Sequence, residues 1–363
     1  MSFGVFITNN INLPVSGLEG VSQVVVQEKL GQTTTFQLHF PVDIQNGDLT
    51  YLSDLSLDPG SVLGINVTSG LLPLPECLVK GPVYGQNIDL VSGGEGSTLV
   101  VHGADTSITM ARQFKSQSWA NVTDSEAVAL IVGQYGLVPD TSSTNTRHLE
   151  TKHVLVQRSN DLDFVRQLAR RNGYYFWISC NSVGIETAHF KRPNLTLPAT
   201  VSLSINNPEP SLNELSISWN VERPTSVEGT QLDLSTKTPM PGLLPLSPQT
   251  GLGTMSLLAI TQDTRSAHVA APADDIGNML ARAEGTLISA DWFITARAKT
   301  SLHQTGGQLV RAHQVIDLQG AGSRHSGKYL VSGVKHIITA SSHEMEIELI
   351  RNAWNPSIPG GII

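Results

Sequence analysis

Apolar and polar positions alternate with period two over most of this chain and change to a helical period in three places. Phe36, Leu38 and Phe40 alternate with Gln37 and His39, and Leu215, Ile217, Trp219 and Val221 alternate with Ser216, Ser218 and Asn220. Such alternation predicts strands with one buried face. Glu344, Glu346 and Glu348 likewise stand on a solvated face opposite Met345, Ile347 and Leu349. Across residues 1–110 the predicted strands are Val21–Gln27, Thr33–Phe40, Ser61–Thr68, Glu76–Val83, Gln86–Val91 and Thr98–Gly103. Lys29-Leu30-Gly31 forms a turn and Gly93–Gly96 a loop tip. Short strands at this spacing point to a sandwich or barrel.

Helical signals interrupt the β pattern. Thr123-Asp124-Ser125-Glu126 is a capping box opening a helix through about Gln134, in which the Thr oxygen caps the first turn and the Glu carboxylate reaches back. Asp140–Asn145 reads as a loop and His153–Gln157 as a strand. In Ser159–Ile178, SNDLDFVRQLARRNGYYFWI, Asn160 is the N-cap, and Asp161 and Asp163 sit at the positive end of the helix dipole. Leu162, Val165, Leu168 and Ala169 form the apolar face. Arg166, Arg170 and Arg171 are expected to do no more than complement the helix end, and Gly173 stops the helix before an aromatic strand. Pro272 is placed to begin a third helix, running to about Ile288 with Ile276, Met279, Leu280, Ala283 and Leu287 on one side.

Around that helix strands return at Leu215–Val221, Trp292–Thr300, His313–Leu318, Tyr329–Ile338 and Glu344–Ile350. Residues 236–256 hold enough proline and glycine to read as a long irregular loop, and the tail NPSIPGGII as irregular too. The expected division is 1–110 (β), 111–200 (α/β), 201–352 (β with the third helix) and 353–363 (tail). No repeat between the two β regions is convincing by eye, beyond a shared strand–loop–strand outline in Val79–Asp105 and Gly327–Arg351.

Composition narrows the function classes. A net charge of −8 over 363 residues opposes an electrostatic nucleic-acid footprint. Charged residues make up 15% of the chain, a sparseness that either a partner-covered surface or a large core produces. Cys77 and Cys180 are distant and in unlike contexts, so a reducing compartment or indifference to redox is expected rather than a disulfide scaffold. The N-terminus MSFGVFITNN has no secretory pattern, and no run approaches a membrane span, so synthesis in the cytoplasm is expected.

Candidate chemistry is thin. The nearest histidine pairs are His336 with His343 and His313 with His325, without HExxH or helical two-His spacing. Gly320-Ala321-Gly322-Ser323 and Gly93–Gly96 lack the Lys-Ser/Thr of a phosphate loop, and no G-x-S-x-G elbow occurs. The alternating glutamates are a strand face rather than a glycosidase pair across a cleft. No catalytic, cofactor-binding or metal-ligating residue is assigned, and no cofactor is expected.

Three segments carry a family resemblance. SNDLDFVRQLARRNGYYFWI, the helix WANVTDSEAVALIVGQYGL at Trp119–Leu137, and SGKYLVSGVKHIITASSHEMEIELIRN at 326–352 resemble, in order and spacing, the phage late-control D protein family. In the last segment the marks are Gly327-Lys328-Tyr329-Leu330-Val331, His336 and Glu348-Leu349-Ile350-Arg351. That family includes baseplate hubs of contractile phage tails and the hub portion of VgrG-like proteins of contractile injection systems. Two features depart from it: His313 stands where glycine often occurs, and loop 236–256 has no clear counterpart.

The resemblance implies a mainly β chain with two tail-tube-like antiparallel β-barrel domains flanking a small α/β domain. It also implies a non-enzymatic homotrimer whose six barrels adapt a sixfold inner tube to a threefold spike. The implied partners are an inner tube protein, a spike protein and other baseplate proteins, within a virion tail or injection particle. Phe36–Phe40 and Leu215–Val221 are the candidate subunit-packing strands, and loop 236–256 and Asn352–Ile363 the candidate docking segments. Two other readings stand beside this one: a tail-associated cell-wall-degrading enzyme, and a receptor- or carbohydrate-binding β protein.

Overall fold

The computed structural model describes residues 4–16, 18–42, 44–45, 48–49, 51, 54–68, 75–92, 96–151, 154–232, 236–269 and 276–356. Six strands build the first β unit: Val5–Thr8 (β1), Gln23–Lys29 (β2), Thr35–Pro41 (β3), Val62–Val67 (β4), Glu76–Asp89 (β5) and Thr98–Ala104 (β6). The α/β unit follows with Phe114–Trp119 (β7), Asp124–Gly133 (α1), Val138–Thr141 (β8), Leu155–Asn160 (β9), Asp161–Arg171 (α2), Tyr175–Cys180 (β10) and Glu186–Lys191 (β11). The second β unit comprises Ser202–Ser204 (β12), Glu214–Trp219 (β13), Ile276–Ala290 (α3), Ile294–Ser301 (β14), Val315–Gln319 (β15), Gly327–Thr339 (β16) and His343–Arg351 (β17). The expected class holds: a mainly β fold with an α/β insertion.

One twelve-stranded sheet runs through both β units in the order β1-β4-β5-β6-β3-β2-β16-β17-β14-β13, with β15 joined to β16 and β12 to β15. The two halves share a strand order. The first reads β1-β4-β5-β6-β3-β2 and the second β12-β15-β16-β17-β14-β13, so each unit lays down its strands in the same spatial sequence. The long strands β5 and β16 even share a bulge, at Val83/Gly85 and Val331/Gly333. The repeat that the sequence hid is plain in the topology. β12 meets β15 in parallel, whereas β1 meets β4 antiparallel.

Of the apolar cores among the described residues, the three largest lie one in each unit. Phe36, Leu38 and Phe40 fill the first with Val24, Val26 and Leu99, and Leu302, Leu309 and Ile338 of the second unit complete it. Phe36–Phe40 therefore corrects one expectation: its apolar face is core within the chain and cannot pack another subunit. Ile316, Tyr329, Val331 and Leu349 belong to the second core, and Val128, Leu162, Leu168 and Phe190 to the α/β core.

Other expectations change in detail. Glu76–Val83 and Gln86–Val91 are one bent strand, β5. The supposed loop at Asp140 begins as a strand, because β8 pairs in parallel with β11. Loop 236–256 is partly regular: Pro239–Pro241 pairs with Thr230–Leu232, and Met255–Ser256 with Ala353–Trp354. The third helix is described from Ile276, so Pro272 lies outside the described residues, as do His153, Gly93–Glu95 and 357–363. Cys77 and Cys180 form a disulfide with Cα atoms 5.6 Å apart, where a reducing compartment or indifference to redox was expected.

Candidate assembly interface

The seam between the β units is built on β16. One edge of this strand pairs with β17, while the other pairs first with β15 at Gly327–Leu330 and then with β2 at Gly333–Thr339. The bulge at Val331/Gly333 bends the strand away from β15 and frees its far half to accept a new neighbour. Glu28 of β2 is buried here and accepts from Arg311 Nε at 2.5 Å and from the Ala312 amide at 2.9 Å. Arg311 also donates to the carbonyls of Cys77 and Leu78 at 3.0 and 2.9 Å. One guanidinium thus ties β2, β5 and the approach to β15, with its charge matched as a buried ion requires.

Behind this pair His336 Nδ1 and His343 Nε2 lie 3.0 Å apart, both rings buried. Burial, and for His336 the neighbouring His343 and Arg311, hold both below the usual imidazole range, His343 at about 4 and His336 well below its ordinary value. The two neutral rings share this one hydrogen bond, while His336 Nε2 and His343 Nδ1 are buried without a hydrogen-bond partner among the described residues. His313 and His325 are not a pair: His313 stacks on Trp177 at 4.1 Å, and His325 meets Trp354 edge-on at 6.4 Å. Among the described residues no group of three potential metal ligands gathers.

His313 explains its own oddity. Its φ of +69° is a left-handed conformation that glycine adopts most readily. The imidazole is kept there by stacking on Trp177 and by accepting the Gly31 amide at Nε2, 3.4 Å away. Burial pushes its pKa down to about 3. Trp177 lies between His313 and His189, a ring column joining the α/β unit to the second β unit.

The arginines of α2 do more than complement a helix end. Arg171 forms a bidentate pair with Asp124 at the start of α1, which His148 and Asn172 also contact. Burial alone would raise the Asp124 pKa, but these donors bring it down to about 2. Arg166 reaches Thr33 in the β2–β3 turn at 2.8 Å. Lys80 donates to the carbonyls of Asn10 and Gly184, close in chain to the Cys77–Cys180 bond.

The remaining sequence candidates have structural places. Glu344, Glu346 and Glu348 stand on the polar face of the sheet, and Glu346 pairs loosely with Lys335 at 3.8 Å. A shallow trough on this face is lined by Lys29, Glu214, Arg297, Lys299 and Glu348. Gly320 turns at φ +76° against the Ile205 carbonyl, and Gly322 at φ +78° starts a single helical turn. Leu215–Val221, expected as an ordinary half-buried strand, belongs to the sheet edge: among the described residues β13 pairs with β14 alone, and Trp219 is 53% exposed.

Residues 13–340 match the family described as the Alg8 N-terminal domain. The chain belongs to that family. A comparison with curated proteins finds no match. Among solved structures, the tail protein from Neisseria meningitidis MC58 superposes with a TM-score of 0.66 at 11% identity, over 98% of this chain and 100% of that one. The 43 kDa tail protein of prophage MuSo2 from Shewanella oneidensis gives 0.65 at 12%, over 96% and 98%. The E. coli c3393 protein, a type VI secretion component with structural similarity to T4 tail proteins gp27 and gp5, gives 0.58 at 12%, over 93% and 76%. At such identities the likeness is one of fold. The Alg8 N-terminal domain chain thus has the fold of phage tail proteins, which carries the sequence resemblance at that coarser level.

Proposed function

We propose that this chain is a structural baseplate hub, of the late-control D kind, in a contractile phage tail or related injection particle. In this reading it acts as a homotrimer, without catalysis or cofactor. Residues 1–110 and 201–352 are its two tube-like domains and 111–200 the bracing α/β domain. The observation that carries the proposal is the repeated strand order within one continuous sheet. A contact between two like units, repeated at a constant rotation, generates a ring when the rotation closes. Three chains would supply six such units, one face meeting a sixfold inner tube while the true threefold symmetry receives a spike. The polar sheet face carrying Lys299, Lys335 and Glu346 would line the lumen. Residues 236–256 and the tail after Asn352 would reach spike or baseplate partners.

The test is the mass of the purified chain by light scattering, with particle images. Three copies in a ring of six lobes are expected. A monomer at all concentrations, or a monomer that cleaves peptidoglycan, would overturn the reading.

A further inference from the structure

The seam inside the chain is a template for an edge the chain leaves open. Resting on the ring reading above, we infer that β13 of one copy pairs antiparallel with the Tyr84–Asp89 half of β5 in the next copy, Ile217 facing Ile88.

The inference starts from the register. At the bulges Val83 faces Gly103 and Val331 faces Leu349, so these are equivalent pairs. Gly103 in turn faces Phe36, and Leu349 faces Ala296. Phe36 faces Val26, and Ala296 faces Ile217. Val26 and Ile217 therefore hold the same position in the two units, as do His336 and Ile88, each five residues beyond the bulge valine. Within the chain Val26 pairs with His336. Carrying that pair over sets Ile217 opposite Ile88, Leu215 opposite Leu90 and Val221 opposite Tyr84.

Both edges are free and in phase. The far half of β5 pairs with β6 on one side, and among the described residues no strand pairs with its other side. The Val42 amide bonds to the Ser97 carbonyl. This turns alternate residues of β6 toward β3 and leaves Gln86 and Ile88 directing main-chain groups to the open edge. On β13 the Asn220 amide bonds to Phe293, so Ile217 and Trp219 point outward. The matching residues of the internal seam, Val26 and Glu28, face β16, in phase with the Leu30 amide bonded to Ser332.

The side chains agree. Tyr84, Ile88 and Leu90 are 50%, 40% and 59% exposed, whereas Val334, His336 and Ile338, on the face Ile88 and Leu90 share, are buried by the seam. Soluble proteins guard open edges with charge, proline or cover. This one presents Ile88 and Leu90, with the Tyr84 ring, where the register sets them opposite Ile217, Leu215 and Val221. A second copy of this chain is the occupant that supplies both edges at once.

The test joins Ser218 and Asn87, which the same register sets opposite each other, as Gln27 faces Lys335 in the seam. The double variant Ser218→Cys/Asn87→Cys, mildly oxidised, should give a covalent three-copy band on a non-reducing denaturing gel. The offset pair Ser218→Cys/Asp89→Cys should give at least tenfold less. A three-copy particle by mass with no register-specific bond overturns this pairing while leaving the ring reading intact. No particle larger than one chain overturns both, and a covalent ladder beyond three copies overturns the closed ring. Independently, Ile88→Arg should drop the mass from three copies to one with an unchanged circular dichroism spectrum. A trimer that survives this substitution overturns the pairing.

Discussion

The buried ionisable side chains set how this protein responds to acid. In an unfolded chain His336 and His343 would protonate near the usual 6.5, but burial holds folded His343 down to about 4 and keeps His336 well below its ordinary value. A folded-state pKa below the unfolded one means that the contribution to stability is complete above about 6.5 and is lost as pH falls toward 4. Each histidine then costs about 1.4 kcal/mol per pH unit across that window. Asp105 and Asp291, raised by burial to about 6, act with the opposite sign and gain stability as pH falls below 6. The histidine effect is therefore read by difference. His343→Gln, which takes up no proton, should show a shallower loss of stability between pH 6.5 and 4 in urea titrations, and parallel profiles would refute it. Of these roles the sequence disclosed little. It put His336 near His343, but the proximity of Glu28 and Arg311 depends on strands far apart in the chain. His313 gave a usable signal, since a histidine in a glycine position suggests a left-handed residue held by a neighbour, here Trp177.

Elements with local rules were legible. The capping box of α1 forms as written, with Glu126 accepting the Thr123 amide at 2.8 Å, and Asn160 caps α2 through the Asp163 amide. Gly173 ends that helix at φ +63°. Where geometry comes from elsewhere the pattern misled: two predicted strands are one because a bulge bends β5 rather than ending it. The helices meet through glycine, which no periodicity announces. A Cβ on Gly285 of α3 would stand 2.7 Å from the Arg170 carbonyl oxygen and 2.9 Å from the Gly173 nitrogen, both backbone atoms at the end of α2. Backbone cannot yield as a side-chain tip can, so Gly285→Ala should destabilise by about 1–3 kcal/mol, the usual cost of overpacking. Gly133, also helical, would meet nothing within 4 Å, so Gly133→Ala should be neutral or stabilising by about 0.5–1 kcal/mol. Denaturant midpoints check both, and two changes of the same sign would show that the helix contact is not the cause.

At the scale of the molecule the repeat escaped detection because volume, not residue type, is kept between the halves. Phe36 fills the space beside Gly103, where a Cβ would lie 1.9 Å from its ring, and the equivalent pair Ala296–Leu349 exchanges large for small. Strand order survives such exchanges because a core needs total volume and pattern rather than particular side chains. The disulfide was invisible for a related reason: Cys77 and Cys180 stand 103 residues apart and meet only after β5 and β10 have packed. Closing a loop of that length restricts the unfolded chain by up to about 4–5 kcal/mol in the chain-entropy model. The folded contact does not depend on it alone, since Lys80 holds the Asn10 and Gly184 carbonyls and Asn12 donates to Ser182 across the same junction. The variant Cys77→Ala/Cys180→Ala should therefore still fold, with the same circular dichroism spectrum, but melt several degrees lower. Reductant should lower the Tm of the parent protein toward the variant's and leave the variant unmoved. An unchanged Tm in the variant would mean that the bond carries none of the stability at this junction, leaving it to the polar contacts of Lys80 and Asn12.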